Sequence, residues 1–249
     1  MASLWRVMFE GVEGEDPVMT TSEATGGARR PEVLVFDVNE TLSDMTPMAD
    51  RFEEVGAPGH LARTWFAGVL RDGFALTATG SMEPFARIGA NLLRSTLAGA
   101  GIAGSLEEAV DHVMAGFGTL GVHPDVAEGV AALADQGIRL VTMSNGSASV
   151  AQGLLERAGL SDRFEALLSV EGAGIWKPAA GAYRYAVEQC GVAPGDGMLV
   201  AVHPWDTDGA RRAGLATAWV NRDGGSYPDH FAAPDLEPTS LVELAALLR

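Results

Sequence analysis

The stretch Val33–Met45, VLVFDVNETLSDM, decides the fold. Four apolar residues run into Asp37, and the pattern then breaks into Asn39, Glu40 and Thr41. A continuous apolar run, rather than an alternating one, marks a strand covered on both faces, as in a parallel sheet. Four more runs of this kind follow: IRLVTM at 138–143, ALLSV at 166–170, MLVAV at 198–202 and ATAWV at 216–220. Helical patterns lie between them at 125–137, 147–159 and 179–191. Gly137 and Gly159 are placed as C-terminal caps, and Ser147 as an N-cap. Alternation of strand and helix from residue 125 onward predicts an α/β domain with a doubly wound parallel sheet.

From Pro47 to His123 the pattern is helical, with apolar residues three and four apart in HLARTWFAGVLRDGFALT and PFARIGANLLRSTLAG. That is far too long for one crossover connection. It reads as a helical cap inserted after the first strand, standing over the carboxyl ends of the strands. The expected division is a flexible N-terminal tail at 1–30, a core at 31–46 and 121–249, and a cap at 47–120. The tail contains TTSEATGGARR, small, polar and without periodicity. It lacks the charged start and long apolar centre of a signal peptide.

Composition narrows the function. Of 249 residues, 47% are hydrophobic, enough for a real core, and the formal net charge is −16. Such an acidic chain is a poor partner for nucleic acid, which needs clustered Lys and Arg, or for an anionic membrane surface. No apolar run approaches a membrane span. The one cysteine, Cys190, allows no intrachain disulfide and is expected to be buried packing, which suits a reducing, cytoplasmic location.

In an open parallel sheet, ligands bind outside the carboxyl ends of the strands. The residues there are Asp37, Asn39, Glu40 and Thr41 after the first strand, and Ser144, Asn145 and Gly146 after the second. Trp176 and Lys177 follow the third, and His203, Trp205, Asp206 and Asp208 the fourth. Asp37 alone reads equally as a turn cap or as a nucleophile that forms an ester later cleaved by water. With Thr41, Ser144, Lys177 and Asp206 on the same rim, the nucleophile is favoured. Lys177 would keep Asp37 anionic. Ser144 and the following turn would cradle an anion.

Four segments in order, FDVNETLSD, TMSNGS, IWKPAAGAY and VHPWDTDGARRAGLATAWVNR, resemble the haloacid dehalogenase superfamily of hydrolases over about residues 32–249. The resemblance is closest to its type II L-2-haloacid dehalogenase branch. It implies a Rossmann-like core with a helical cap and a metal-free reaction, in which Asp37 displaces halide from the α-carbon of a 2-haloacid. It places Thr41, Ser144, Lys177 and Asp206 in catalysis, with Asp206 positioning or activating water. Asn145, Asn39, Tyr183 and Trp205 are matched to the substrate site, and Trp65, Phe66, Phe74 and Trp205 are candidates for an apolar pocket. A homodimer through the LLRSTLAGAG helix is compatible with the pattern.

Several positions depart from the family. Phosphatases of the superfamily carry a second aspartate where this chain has Asn39, and a metal-binding aspartate where it has Val202. The dehalogenase branch carries a cap arginine at the position of Phe66; Arg63 and Arg71 are the candidates to replace it. Its serine and asparagine are Ala201 and His203 here, and its glycine before Thr41 is Glu40. His203 is a candidate general acid or base. The favoured reading is a metal-independent hydrolase acting on a small 2-substituted carboxylic acid, with no cofactor. The alternatives are a C–N hydrolase of the azetidine-2-carboxylate type, a Mg²⁺ phosphatase and a non-catalytic ligand-binding relative.

Overall fold

The computed structural model describes residues 30–249; the expected tail falls almost wholly outside them. Five strands, β1 (Val33–Phe36), β2 (Arg139–Ser144), β3 (Ala166–Ser169), β4 (Gly197–Ala201) and β5 (Ala216–Trp219), form one sheet in the order β3-β2-β1-β4-β5. Every pairing is parallel, and β1 lies centrally, with Phe36 level with Thr142 on one side and Val200 on the other. The four β1 residues are fully buried because the sheet is covered twice. Val33 and Val35 join one apolar core with Val141, Met143 and Leu199. Leu34 and Phe36 join a second core with Leu140, Met198 and Val200. Alternate side chains leave a strand on opposite faces, so a strand between two cores must be apolar throughout.

Between β1 and β2 come α1 (Met48–Glu54), α2 (Leu61–Ala78), α3 (Phe85–Leu97), α4 (Leu106–Gly118) and α5 (Val126–Asp135). Helices α6 (Ala148–Arg157), α7 (Val170–Ala173), α8 (Ala180–Gln189), α9 (Pro204–Arg212) and α10 (Leu241–Leu247) complete the layers. The predicted strands and helices all form, with bounds shifted by one or two residues. Ser147 caps α6, accepting from the Val150 N–H, and Gly137 and Gly159 take positive φ just past their helices. α1 and α4 lie in the helical region without having been singled out. α4 opens with a capping box, Ser105 and Glu108 each bonding the other's backbone N–H. Among the described residues, no helix is long and apolar enough to cross a membrane.

The first four helices enclose aromatic rings. Trp65 stands edge-on to Phe85 and Phe117, and Phe85 stacks on Phe117 with centroids 4.9 Å apart. Phe85 also stacks on Trp176, which belongs to the loop before α8, so these helices and the sheet domain share one core. α2 approaches Trp176 closely because residue 73 is glycine: a Cβ there would lie 2.4 Å from the indole. Trp176 is fully buried and its Nε1 donates to the Glu83 carbonyl at 3.0 Å, so the ring has little freedom to retreat. Gly73→Ala gains up to about 1 kcal/mol of helix propensity. It also overpacks the contact, at a cost of about 1–3 kcal/mol or more. A net loss of stability is expected, lowering the thermal midpoint by a few degrees in a calorimetric scan.

Candidate active site

Asp37 is the first residue beyond β1, its N–H bonded to the Val200 carbonyl of the adjacent strand at 3.0 Å. Its carboxylate is thereby aimed past the sheet edge, beside the crevice between β1 and β4 where the chain reverses its winding. Both oxygens are held. Oδ1 accepts from Lys177 Nζ at 2.8 Å, and Oδ2 from the Thr41 hydroxyl at 2.8 Å. Thr41 Oγ1 in turn accepts from the Val202 N–H at 3.1 Å, tying the loop after β1 to the end of β4. Lys177 is fully buried and reaches a second carboxylate, Asp206 Oδ2, at 2.6 Å. Asp206 lies in the first turn of α9, and Tyr183 of α8 donates to its Oδ1 at 2.6 Å.

His203 stands at the mouth of this cluster, its side chain 13% exposed. Its Nδ1 is 3.2 Å from Asp37 Oδ2 and its Nε2 is 2.8 Å from Glu40 Oε2. Its ring lies against Trp205, centroids 5.1 Å apart, and near Phe66 at 6.4 Å. Phe74 packs on Trp205 at 4.9 Å. A basic ring is therefore framed by aromatic walls above the carboxylate.

The charges fix the protonation pattern. Burial alone would raise the Asp37 carboxyl, but Lys177 and His203 outweigh it and hold Asp37 well below the usual carboxylate range. Burial also raises Asp206, and the like charge of Asp37 adds to it, so Asp206 is the more basic of the two acids despite Lys177. Burial opposes the Lys177 ammonium, yet its two carboxylates raise its pKa. Burial opposes charge on His203 as well, but hydrogen bonds to Asp37 and Glu40 push it up to about 9.

Residues 31–214 match the family described as haloacid dehalogenase-like hydrolase. The chain belongs to that family. It is similar to an (S)-2-haloacid dehalogenase of Pseudomonas sp. (strain YL), 33% identical over 123 residues; the match takes in 49% of this chain and 53% of that protein. It thus spans about half the length of that relative. Haloacetate dehalogenase H-2 of Moraxella sp. (strain B) is 27% identical over 212 residues, 83% of this chain and 93% of that protein. The structure of L-2-haloacid dehalogenase from Xanthobacter autotrophicus superposes with a TM-score of 0.79 at 25% identity, covering 88% of this chain and 98% of that one. The protein is a haloacid dehalogenase-like hydrolase, with an α/β core of that family's fold.

Of the residues expected at the site, Asp37, Thr41, Lys177, Asp206, Tyr183 and His203 form one bonded network. Ser144 is buried at the end of β2, where its Oγ accepts from the Gly146 N–H at 2.9 Å. Asn39 is buried beside that turn. Asn145, expected to line the site, braces Lys177: its Oδ1 accepts from the Lys177 N–H at 3.0 Å and its Nδ2 faces the Lys177 carbonyl at 3.4 Å. Tyr183, expected at the substrate, is fully buried behind Asp206 and positions that carboxylate. Trp65, expected in the pocket, is spent in the core among the first four helices instead, its Nε1 bonded to the Gly89 carbonyl at 2.9 Å. Phe66, Phe74 and Trp205 do gather at His203. Neither candidate arginine turns inward: Arg63 is exposed, and Arg71 pairs with Asp72 at the surface. A groove of about 550 Å³ between α2 and α3, bordered by Leu76, Glu83 and Leu92, shares no residue with the Asp37 cluster.

Glu40 stands on the rim by sequence but is given no role there. The signal was its occupation of a position where the family carries glycine. Its φ of +62° is a conformation that favours glycine, and its side chain reaches His203 from it. The donor set does not suit a hard divalent ion: Val202 stands where a further carboxylate would be needed, and the Lys177 ammonium lies between Asp37 and Asp206.

A pH dependence of stability follows. The raised folded pKa of His203 stabilises the fold fully below its ordinary value of 6.5, and that contribution is lost as pH rises through about 9. Its size is on the order of 3 kcal/mol. Urea midpoints of the wild type are expected to fall between pH 6.5 and 9, and His203→Asn to flatten that slope.

Proposed function

We propose that this hydrolase cleaves the bond between the α-carbon of a small 2-substituted carboxylic acid, foremost a 2-haloacid, and its leaving group. Asp37 attacks the α-carbon and forms an ester, and water hydrolyses that ester to the 2-hydroxy acid. The observation that carries this reading is the Lys177 ammonium, 2.8 Å from Asp37 and 2.6 Å from Asp206 in a fully buried slot. It keeps Asp37 ionised and supplies the positive charge at the site from the chain itself, with no cofactor required. The names of the relatives, 2-haloacid and haloacetate dehalogenases, support the same substrate class. Thr41 orients the nucleophile; Lys177 and the Ser144 turn hold anionic groups; Asp206 anchors Lys177 and, with His203, borders the side from which water reaches the ester. Residues 47–120 act as a cap. The Asp37 side chain is only 4% exposed, so the cap lifts to admit even a small acid.

The test is single-turnover hydrolysis in H₂¹⁸O with L-2-chloropropionate, azetidine-2-carboxylate and p-nitrophenyl phosphate, each in EDTA or Mg²⁺. The expected result is chloropropionate turnover in EDTA, with ¹⁸O in the Asp37 peptide by mass spectrometry. Turnover of the phosphate alone, and only with Mg²⁺, would refute the reading.

A further inference from the structure

We propose that His203, held by Glu40, is the base that hydrolyses the Asp37 ester, and that esterification of Asp37 is itself what switches it on. This rests on the ester reading above. Asp206 is badly placed to take a proton from water: it is fully buried, with Oδ1 committed to Tyr183 and Oδ2 to Lys177. His203 has what Asp206 lacks, namely partial exposure and a ring nitrogen 3.2 Å from the nucleophile. Glu40 is its positioning residue. The turn after β1 puts residue 40 at φ +62°, a conformation costly for a residue with a Cβ, and from it the Glu40 carboxylate reaches Nε2 at 2.8 Å. The imidazole is thereby held with Nδ1 toward Asp37, in the arrangement of an acid, a histidine and a nucleophile.

The charged groups facing His203 are Asp37 and Glu40 in contact, with Lys177 and Asp206 behind Asp37. Trp205 and Phe66 pack on the ring, and the His123 ring bonds the Glu40 carbonyl. In the resting enzyme the two carboxylates hold His203 as imidazolium, which cannot act as a base. An Asp37 oxygen then bonds to the α-carbon, and the leaving group departs with its electron pair. The ester is neutral, so His203 loses one of its two anions and releases its proton to solvent. Neutral Nδ1 takes a proton from water, and the hydroxide oxygen bonds to Asp37 Cγ. The bond from Cγ to the alkyl oxygen breaks, and the alkoxide takes the carboxyl proton. The products are the 2-hydroxy acid, the released anion, one proton and the Asp37 carboxylate.

Two measurements test this. ¹³C-labelled histidine titrated by NMR requires no substrate, and Asp37→Asn imitates the neutral ester in shape and charge. The His203 midpoint is expected near 9 in the wild type and at least one unit lower in both Asp37→Asn and Glu40→Gln. Equal midpoints in all three proteins would overturn the switch. The second is rapid quench with L-2-chloropropionate. His203→Asn is expected to accumulate alkylated Asp37 peptide and to turn over about 10²–10³-fold more slowly. Glu40→Gln is expected to move the rising limb of the pH–kcat profile to lower pH. Turnover by His203→Asn within threefold of wild type would remove the base role and leave the ester reading standing. No ester and no turnover in any of these proteins would remove both.

Discussion

Lys177→Met is expected to cost about 3–5 kcal/mol of stability at pH 7, the range for breaking a buried ion pair by deleting one partner. Methionine fills nearly the same slot, so the loss is one of charge rather than volume. Lys177 is fully buried between Asp37 and Asp206, and without it two desolvated carboxylates face each other, with His203 the remaining counter-charge in contact among the described residues. One of them then takes a proton. Asp206 is already the more basic, so it is the acid that yields, and the penalty shrinks as pH falls toward 5. Urea unfolding at pH 7 and pH 5 measures this directly. A cost below 1 kcal/mol at both values would mean that the ammonium does not hold the two acids. Lys177→Arg is not expected to rescue stability or turnover, since the larger planar guanidinium does not fit a slot closed by Asn145 and Tyr183.

The core was legible because its strands carry a pattern few other structures produce. A run such as Val33–Phe36, apolar at every position and ending on a carboxylate, is what a central parallel strand requires. The rim followed from it, since residues after parallel strands share one edge whatever their distance along the chain. Direction was less legible than position. The reading placed Trp65, Phe66 and Phe74 on one helix and Tyr183 near the site. Helical spacing does not say that Trp65 turns into the core among the first four helices while Phe66, one residue on, reaches His203. Nor does it say that Tyr183 ends behind Asp206. The Glu40–His203 pair was hidden for another reason. Each residue stood out as a departure, but their bond depends on the positive φ at Glu40, a backbone property that a glutamate in a sequence does not advertise. The helix α4 was within reach of the sequence, since Ser105 and Glu108 have the spacing of a capping box.

Asp37→Asn separates chemistry from binding. The amide keeps the shape of the carboxylate and still accepts from Thr41 or Lys177, while Lys177 retains Asp206. Stability is therefore expected within about 2 kcal/mol of wild type, the scale of one altered buried hydrogen bond. Turnover is expected to fall by a factor of about 10⁴ or more. A neutral amide oxygen is a poor nucleophile at a saturated carbon, and removing the attacking atom disables the groups arranged around it together with it. Calorimetric titration of the folded variant with L-2-chloropropionate, beside turnover and peptide mass spectrometry of both proteins, gives the comparison. Binding retained and turnover lost, with label in the wild-type Asp37 peptide alone, makes Asp37 the nucleophile. Equal binding with no turnover and no label in either protein would instead favour a ligand-binding relative. The resting network argues against that outcome: an ionised Asp37 with Lys177, Thr41 and His203 all converging on it is more preorganisation than holding an anionic acid would need, since a buried carboxylate repels such a ligand.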